Sequence, residues 1–226
     1  MNLSVFKVVF MTNWKCYYKN FFVFLIFIVV LFHFLFSKNI FANEVSGITS
    51  KINRCVTCHT ITGNSIVPIW PKLAEQHADY MLKQLFEFKK GKDGNRFDPT
   101  MFGMLQGVTE DELYELTDHF SKQVLEKSKV KFDKDKFDFG KRLYLYGEDS
   151  NKVVGCVGCH GLDGTGNKLA NFPNLKWQHK EYLITQMKKF KSGDRSNDVN
   201  SIMRDVISNM SEDQIDAVAT YISFMD

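Results

Sequence analysis

The sequence predicts an all-α fold built twice, as two tandem helical domains related by internal duplication. Three observations carry this. Distinctive residues recur at a constant offset of 102 positions, apolar residues are spaced by three and four, and no stretch alternates with period two for long enough to argue a sheet.

The repeat comes first because it sets the domain count. Trp70-Pro71-Lys72-Leu73 answers Phe172-Pro173-Asn174-Leu175, Gln76-His77 answers Gln178-His179, and Tyr80 answers Tyr182. Gln84-Leu85, Phe88-Lys89 and Gly91 answer Gln186-Met187, Phe190-Lys191 and Gly193 in the same register. Within each unit the helices follow from spacing and end signals. Asp79 to Lys90 places Met81, Leu85 and Phe88 on one face, with Gly91 as a stop. Thr109 and Glu112 form a capping-box pair opening a helix that carries Leu113, Leu116 and Phe120. Ser211 and Gln214 do the same ahead of Ile215, Val218, Ala219 and Ile222. Phe139, Leu143 and Tyr146 mark a further helix, stopped by Gly147, and the charged run from Lys122 to Lys136 reads as a connection between domains or a solvated helix end.

Composition narrows the functional classes. The 226 residues are 44% apolar and 24% charged, which excludes a disordered or multi-span membrane chain. The formal charge of +3 belongs to the first 42 residues, which hold four lysines and no acid. The remainder has 25 bases against 26 acids and no dense basic cluster, so no nucleic-acid partner is expected. Phe21 to Phe36 is a nearly unbroken apolar block preceded by Lys15 and Lys19 and followed by Lys38 and Ala42, the layout of a secretory signal. At 16 residues it falls short of the roughly 20 that a spanning helix needs. Residues 1–42 are therefore read as a signal peptide cleaved after Ala42, the alternative being an uncleaved anchor that tethers the protein to the outer face of the cytoplasmic membrane through residues 21–36. Residues 43–126 and 127–226 are the two domains, in the periplasm in either case.

Beyond Cys16 in the leader, the cysteines form two pairs, Cys55/Cys58 and Cys156/Cys159, followed at once by His59 and His160. Both are C-x-x-C-H, the attachment pattern of c-type haem. Two thiols at this spacing reach the two vinyl groups of one haem, and the adjacent imidazole becomes the proximal iron ligand. A zinc site from four cysteines, or a pair of short disulfides, leaves both histidines unexplained. Two covalently bound haem c groups account for all six residues. For the distal ligand, Met101 and Met203 stand 42 and 43 residues beyond His59 and His160 and keep the 102-residue register, which favours them over Met104 and Met210. His77 and His179 also recur, but a packing or haem-edge role suits them better than ligation. His119 has no counterpart and reads as structural or exposed.

These motifs resemble those of the di-haem cytochrome c4 family over nearly all of residues 43–226. The resemblance implies two class I cytochrome c domains about a pseudo-twofold axis, each wrapped around one haem. It implies single-electron transfer to a terminal oxidase from a redox-protein donor, with no catalytic residue and no small-molecule substrate. It also implies that Pro71 and Pro173 offer their carbonyls to the imidazole N–H groups of His59 and His160. Met203-Arg204 follows the family pattern. Thr60 departs from it, standing where Gly161 stands in the second half. Rival readings are the haem-bearing subunit of a larger dehydrogenase, such as a sulfide-oxidising flavocytochrome, a di-haem peroxidase with one open iron position, and a gas sensor.

Overall fold

The computed structural model describes residues 23–32, 52–127 and 133–226. Residues 23–32 are helical and belong to a unit distinct from the rest. Among the described residues no helix is long and apolar enough to cross a membrane. The signal flanks, the cleavage position at Ala42 and Cys16 lie outside the described residues.

The first domain runs from helix α1 (52–59) through α2 (Ala78–Lys89) and α3 (Pro99–Met104) to α4 (Glu110–Ser121). The second runs through α5 (Lys134–Tyr146), α6 (Val157–His160), α7 (Lys180–Ser192), α8 (Ile202–Ser208) and α9 (Glu212–Phe224). Among the described residues there is no strand, only isolated bridges. Both expected capping boxes are made in full, Thr109 with Glu112 and Ser211 with Gln214. Each satisfies two otherwise orphaned N–H groups and fixes where its helix starts.

Apolar faces close the two cores. In the first domain Ile52, Met81, Leu116 and Phe120 pack together, beside Phe88, Leu105 and Leu113. In the second, Leu143 and Tyr144 of α5 lie against Ile215, Val218 and Tyr221 to Ile222 of α9. The sequence points to Tyr146 as the inward tyrosine of α5, but Tyr146 is 79% exposed and Tyr144 is fully buried. Tyr144 fits because its hydroxyl donates to the Gly161 carbonyl at 2.7 Å while its ring meets Tyr221 at 5.2 Å. A buried phenol needs such a partner. The run from Lys122 to Lys136 is coil over residues 122–127, and Asp133 caps α5, its carboxylate accepting from the Asp135 and Lys136 amides.

The domains meet across a reciprocal seam. The Gln178 side chain accepts from the Lys72 amide and donates to the Lys72 carbonyl, both at 2.8 Å. Gln76 makes the same two bonds to the Asn174 backbone, at 3.0 and 2.8 Å. Because each partner is the repeat counterpart of the other, the contact is isologous and the domains are related by a pseudo-twofold axis. Nearby, the Ser196 amide donates to the Asn95 carbonyl at 2.8 Å, pairing the two segments that precede α3 and α8.

Candidate haem sites

Each C-x-x-C-H motif ends a helix. His59 closes α1 and His160 closes α6, and the next residue takes a positive φ, 61° at Thr60 and 78° at Gly161. Glycine adopts that conformation freely, whereas a β-branched residue is strained there. Thr60 still closes the helix, its amide donating to the Val56 carbonyl at 2.9 Å as the Gly161 amide does to Val157 at 3.0 Å. Thr60→Gly is expected to raise the first domain's stability by about 1 kcal/mol, the left-handed penalty less glycine's entropic cost. Denaturant melts of the paired proteins measure it, and a midpoint at or below the parent's would refute the strain.

After each motif a glycine turns the chain towards the proline. The Leu73 amide donates to the Gly63 carbonyl and the Leu175 amide to the Gly164 carbonyl, both at 2.7 Å. Gly63 has φ 69°, and a Cβ on it would lie 2.7 Å from the Ala74 nitrogen. The residue inserted in the second repeat therefore falls between Gly164 and Pro173, where Asn167 and Phe172 pair in a small bridge.

This turn brings Pro71 over His59 and Pro173 over His160. The two Nδ1 atoms lie 2.9 and 3.2 Å from the proline carbonyls. A carbonyl can only accept, so Nδ1 carries the proton in both rings and Nε2 presents its lone pair. Among the described residues neither Nε2 has a hydrogen-bond partner. Burial pushes both histidines below the usual imidazole pKa, partly offset by the proline hydrogen bond. Both rings are thus neutral, buried and aimed, as a metal-ligating imidazole must be. The Cys156 thiol is pushed up to about 12 by burial, and Cys55 is raised for the same reason against the opposing charge of Arg54. None of the four cysteines is joined in a disulfide.

The methionines reach the same space from the other side. Met101 sits on α3, whose start is fixed by Pro99 and by the Asp98 carboxylate, which accepts from the Thr100 and Met101 amides at 3.1 Å. Met203 sits at the start of α8, which lacks such a cap. There Asn200 and Ser201 take φ of 51° and 61°, and Asp198 grips the Arg204 amide and guanidinium at 3.0 and 2.9 Å. A lysine from the preceding long helix ties down the far end of each loop. Lys89 donates to the Val108 carbonyl at 2.6 Å, and Lys191 donates to that of Met210.

A cavity of about 620 Å³ runs through both halves and is lined by all four cysteines, His59, His160, Met101 and Met203. Met104 also reaches it, 45% exposed, whereas Met210 is buried in the second core and does not. His77 and His179 do not line it. They stand at the seam, where His179 Nε2 lies 2.8 Å from the Ser65 carbonyl of the other domain. His119 bonds the Ile61 carbonyl at the surface. Thiol pairs, a neutral imidazole and an apolar-walled crevice in each half fit one covalent haem per domain.

A family model for cytochrome c matches residues 41–122 and again residues 140–226. Cytochrome c4 of Thiocapsa roseopersicina is 37% identical over 74% of this chain and 85% of its own length. The chain belongs to the cytochrome c4 family. The crystal structure of reduced cytochrome c4 from Pseudomonas stutzeri superposes with a TM-score of 0.74 at 34% identity, covering 79% of this chain and 96% of that one. A thiosulfate dehydrogenase electron acceptor of Stutzerimonas stutzeri is 30% identical over 75% of this chain and 77% of its own length. As a di-haem member of the family the protein is an electron carrier with two covalently bound haem c groups.

Sequence reasoning missed Arg96 and Arg195. They are buried at the seam, 6% and 4% exposed, yet they stand 99 residues apart and so fall out of the 102-residue register. Allowing a gap between glycine and methionine would have paired them, since each is followed within three residues by an aspartate, Asp98 and Asp198.

Proposed function

We propose that the protein carries single electrons outside the cytoplasmic membrane, from a redox-protein donor to a terminal oxidase, with His59 and Met101 as the axial pair of one iron and His160 and Met203 of the other. Residues 1–42 are its export signal, and residues 43–126 and 127–226 its two electron-carrying domains. The observation that carries the reading is that each half sets a neutral, tautomer-fixed imidazole and a methionine on the walls of one cavity.

When bound, haem c supplies a one-electron Fe(III)/Fe(II) couple. The protein's part is to hold it still. The proline carbonyls fix imidazole orientation and basicity. The Asp98 cap in one half and the Asp198–Arg204 pair in the other seat the methionine backbones. Two protein ligands on each iron leave no position for a substrate, which separates this reading from a peroxidase or a gas sensor. The thioether raises the potential, as delivery to an oxidase requires.

Similarity to a thiosulfate dehydrogenase electron acceptor supports a dehydrogenase of reduced sulfur compounds as the donor. It equally favours a second reading, service as the haem-bearing partner of such an enzyme.

The test is the visible spectrum of the haem-loaded protein, oxidised and reduced, with and without carbon monoxide. Two low-spin haems with a sulfur-to-iron band and indifference to carbon monoxide are expected. Ready binding of carbon monoxide at one haem would overturn the carrier reading in favour of an open site. Stopped-flow reduction by a thiosulfate dehydrogenase, followed by oxidation on oxidase-containing membranes, tests the partners. A stable complex that withholds its electrons from the membranes would favour the subunit reading.

A further inference from the structure

The hydrogen bonds of His59 and His160 do not stop at the proline carbonyls. The Pro71 carbonyl and the Lys72 N–H are opposite sides of one peptide group, and so are the Pro173 carbonyl and the Asn174 N–H. The first peptide accepts from His59 Nδ1 at 2.9 Å while its amide donates to Gln178 Oε1 at 2.8 Å. The second accepts from His160 Nδ1 at 3.2 Å while its amide donates to Gln76 Oε1 at 3.0 Å. Each imidazole is therefore joined, through a single peptide, to a carboxamide of the opposite domain.

The carboxamides are fixed in that orientation. Each Nε2 donates at 2.8 Å to the carbonyl of the same residue, Lys72 or Asn174, so a flipped amide would set N–H against N–H and oxygen against oxygen. Each Oε1 also accepts from the next backbone amide of its own chain segment, His77 or His179, at 3.0 Å. Gln76, Gln178, Lys72 and Asn174 are all buried. In both halves the residue just before the glutamine has a left-handed φ of 55°, at Glu75 and at Trp177. Neither is glycine, so the two repeats carry the same strain at the same place, and such strain persists only where the surroundings demand it. It aims the glutamine across the seam, with the turns closed by the Gln76 amide on the Leu73 carbonyl at 3.2 Å and the Gln178 amide on the Leu175 carbonyl at 3.1 Å. A peptide whose N–H donates is a better acceptor at its oxygen, since polarisation strengthens each bond of such a chain by about 10–30%. A better acceptor at Nδ1 makes the imidazole a more basic ligand, and a more basic ligand favours Fe(III). We propose that Gln178 and Gln76 are positioning residues that act across the seam, each polarising the proline peptide over the opposite domain's histidine and so lowering the potential of the opposite domain's haem.

The inference rests on His59 and His160 ligating iron, and the reduced, haem-loaded parent checks that first, because both Nδ1–H resonances must then carry the ring-current shift of a bound haem. Gln178→Leu and Gln76→Leu are compared with His179→Ala, which cuts a different bond across the seam, to the Ser65 carbonyl, and leaves both relays whole. Docking survives each change because Arg96 still donates to the Tyr182 hydroxyl at 2.7 Å and Arg195 to that of Tyr80 at 2.9 Å. The readouts are the two Nδ1–H shifts and the midpoint potential of each haem, followed through its own methyl resonances. Gln178→Leu should move the His59 resonance upfield and raise the first domain's potential, and Gln76→Leu should do the same to His160 and the second domain. His179→Ala should give neither pattern. Unmoved resonances and potentials, changes confined to the substituted domain, or the same changes in His179→Ala would overturn the proposal and leave the glutamines as docking contacts. If a Leu variant fails to load haem, Gln178→Asn and Gln76→Asn decide, since a side chain one methylene too short for the peptide must give the same crossed changes. A parent without the ring-current shift would overturn the ligand assignment, and the relay with it.

Discussion

Replacing Met203 with alanine is expected to lower the potential of one haem by on the order of 0.1 V or more, a fraction of the roughly 0.8 V range that axial ligation spans. It should also open that iron to carbon monoxide. The reasoning is local. Met203 is held on α8 by a strained entry through Asn200 and Ser201 and by the Asp198–Arg204 grip, while core residues such as Ile207 and Met210 anchor the helix behind it. Truncating the side chain therefore removes the thioether without collapsing its support, and the other methionine of this half on the cavity wall, Met187 of α7, is packed into the second core. The matching change at Met101 is a sharper test, because Met104 lies one turn on along α3 and also reaches the cavity. A lost sulfur-to-iron band in Met101→Ala, with Met104→Ala unaffected, is the expected pair of spectra. The reverse pair would make Met104 the ligand in the first domain.

The sequence makes the attachment residues and the candidate axial residues legible because their chemistry is positional. A thiol pair followed by histidine has few other uses, and duplication at a constant offset exposes every residue that both copies keep. The proline carbonyls over His59 and His160 were expected from family resemblance alone, and the structure gives them distances. What the spacing hid is of a different kind. Arg96 and Arg195 act across the seam, and a shift of three residues between glycine and methionine breaks the register that would have paired them. Tyr144 was hidden because helical spacing alone cannot separate Tyr144 from Tyr146. The choice is made by the Gly161 carbonyl, which only the folded loop brings within reach. Gln76, Gln178 and His179 were visible in the repeat but not as clamps, because their partners are backbone atoms of the opposite domain, which carry no sequence signal. Even the asymmetry between the halves follows the same division. Thr60 against Gly161 could be read directly, whereas the different seats of Met101 and Met203, one a carboxylate cap and one an ion-paired arginine, depend on how each loop enters its helix.

Gly140→Ala is expected to cost the second domain about 3 kcal/mol or more, the upper end of overpacking penalties. Gly140 lies where α5 crosses α9, and a Cβ there would stand 1.9 Å from the Ala217 carbonyl oxygen and 2.5 Å from its carbon. Both atoms belong to helix backbone, so no rotamer change relieves the clash and the two helices must part. Separation would loosen the contact between Tyr144 and Tyr221 and with it the bond from Tyr144 to the Gly161 carbonyl, one residue beyond His160. Against a typical domain stability of about 5–15 kcal/mol this is a large fraction. It should also be unequal between the halves. Denaturant melts followed through the haem absorbance of each domain should move the second-domain transition well below the parent's while the first-domain transition shifts less, the seam passing on only part of the loss. A second-domain midpoint within error of the parent's would show that α5 and α9 tolerate the added methyl, and that the close helix crossing is not what holds His160 in place.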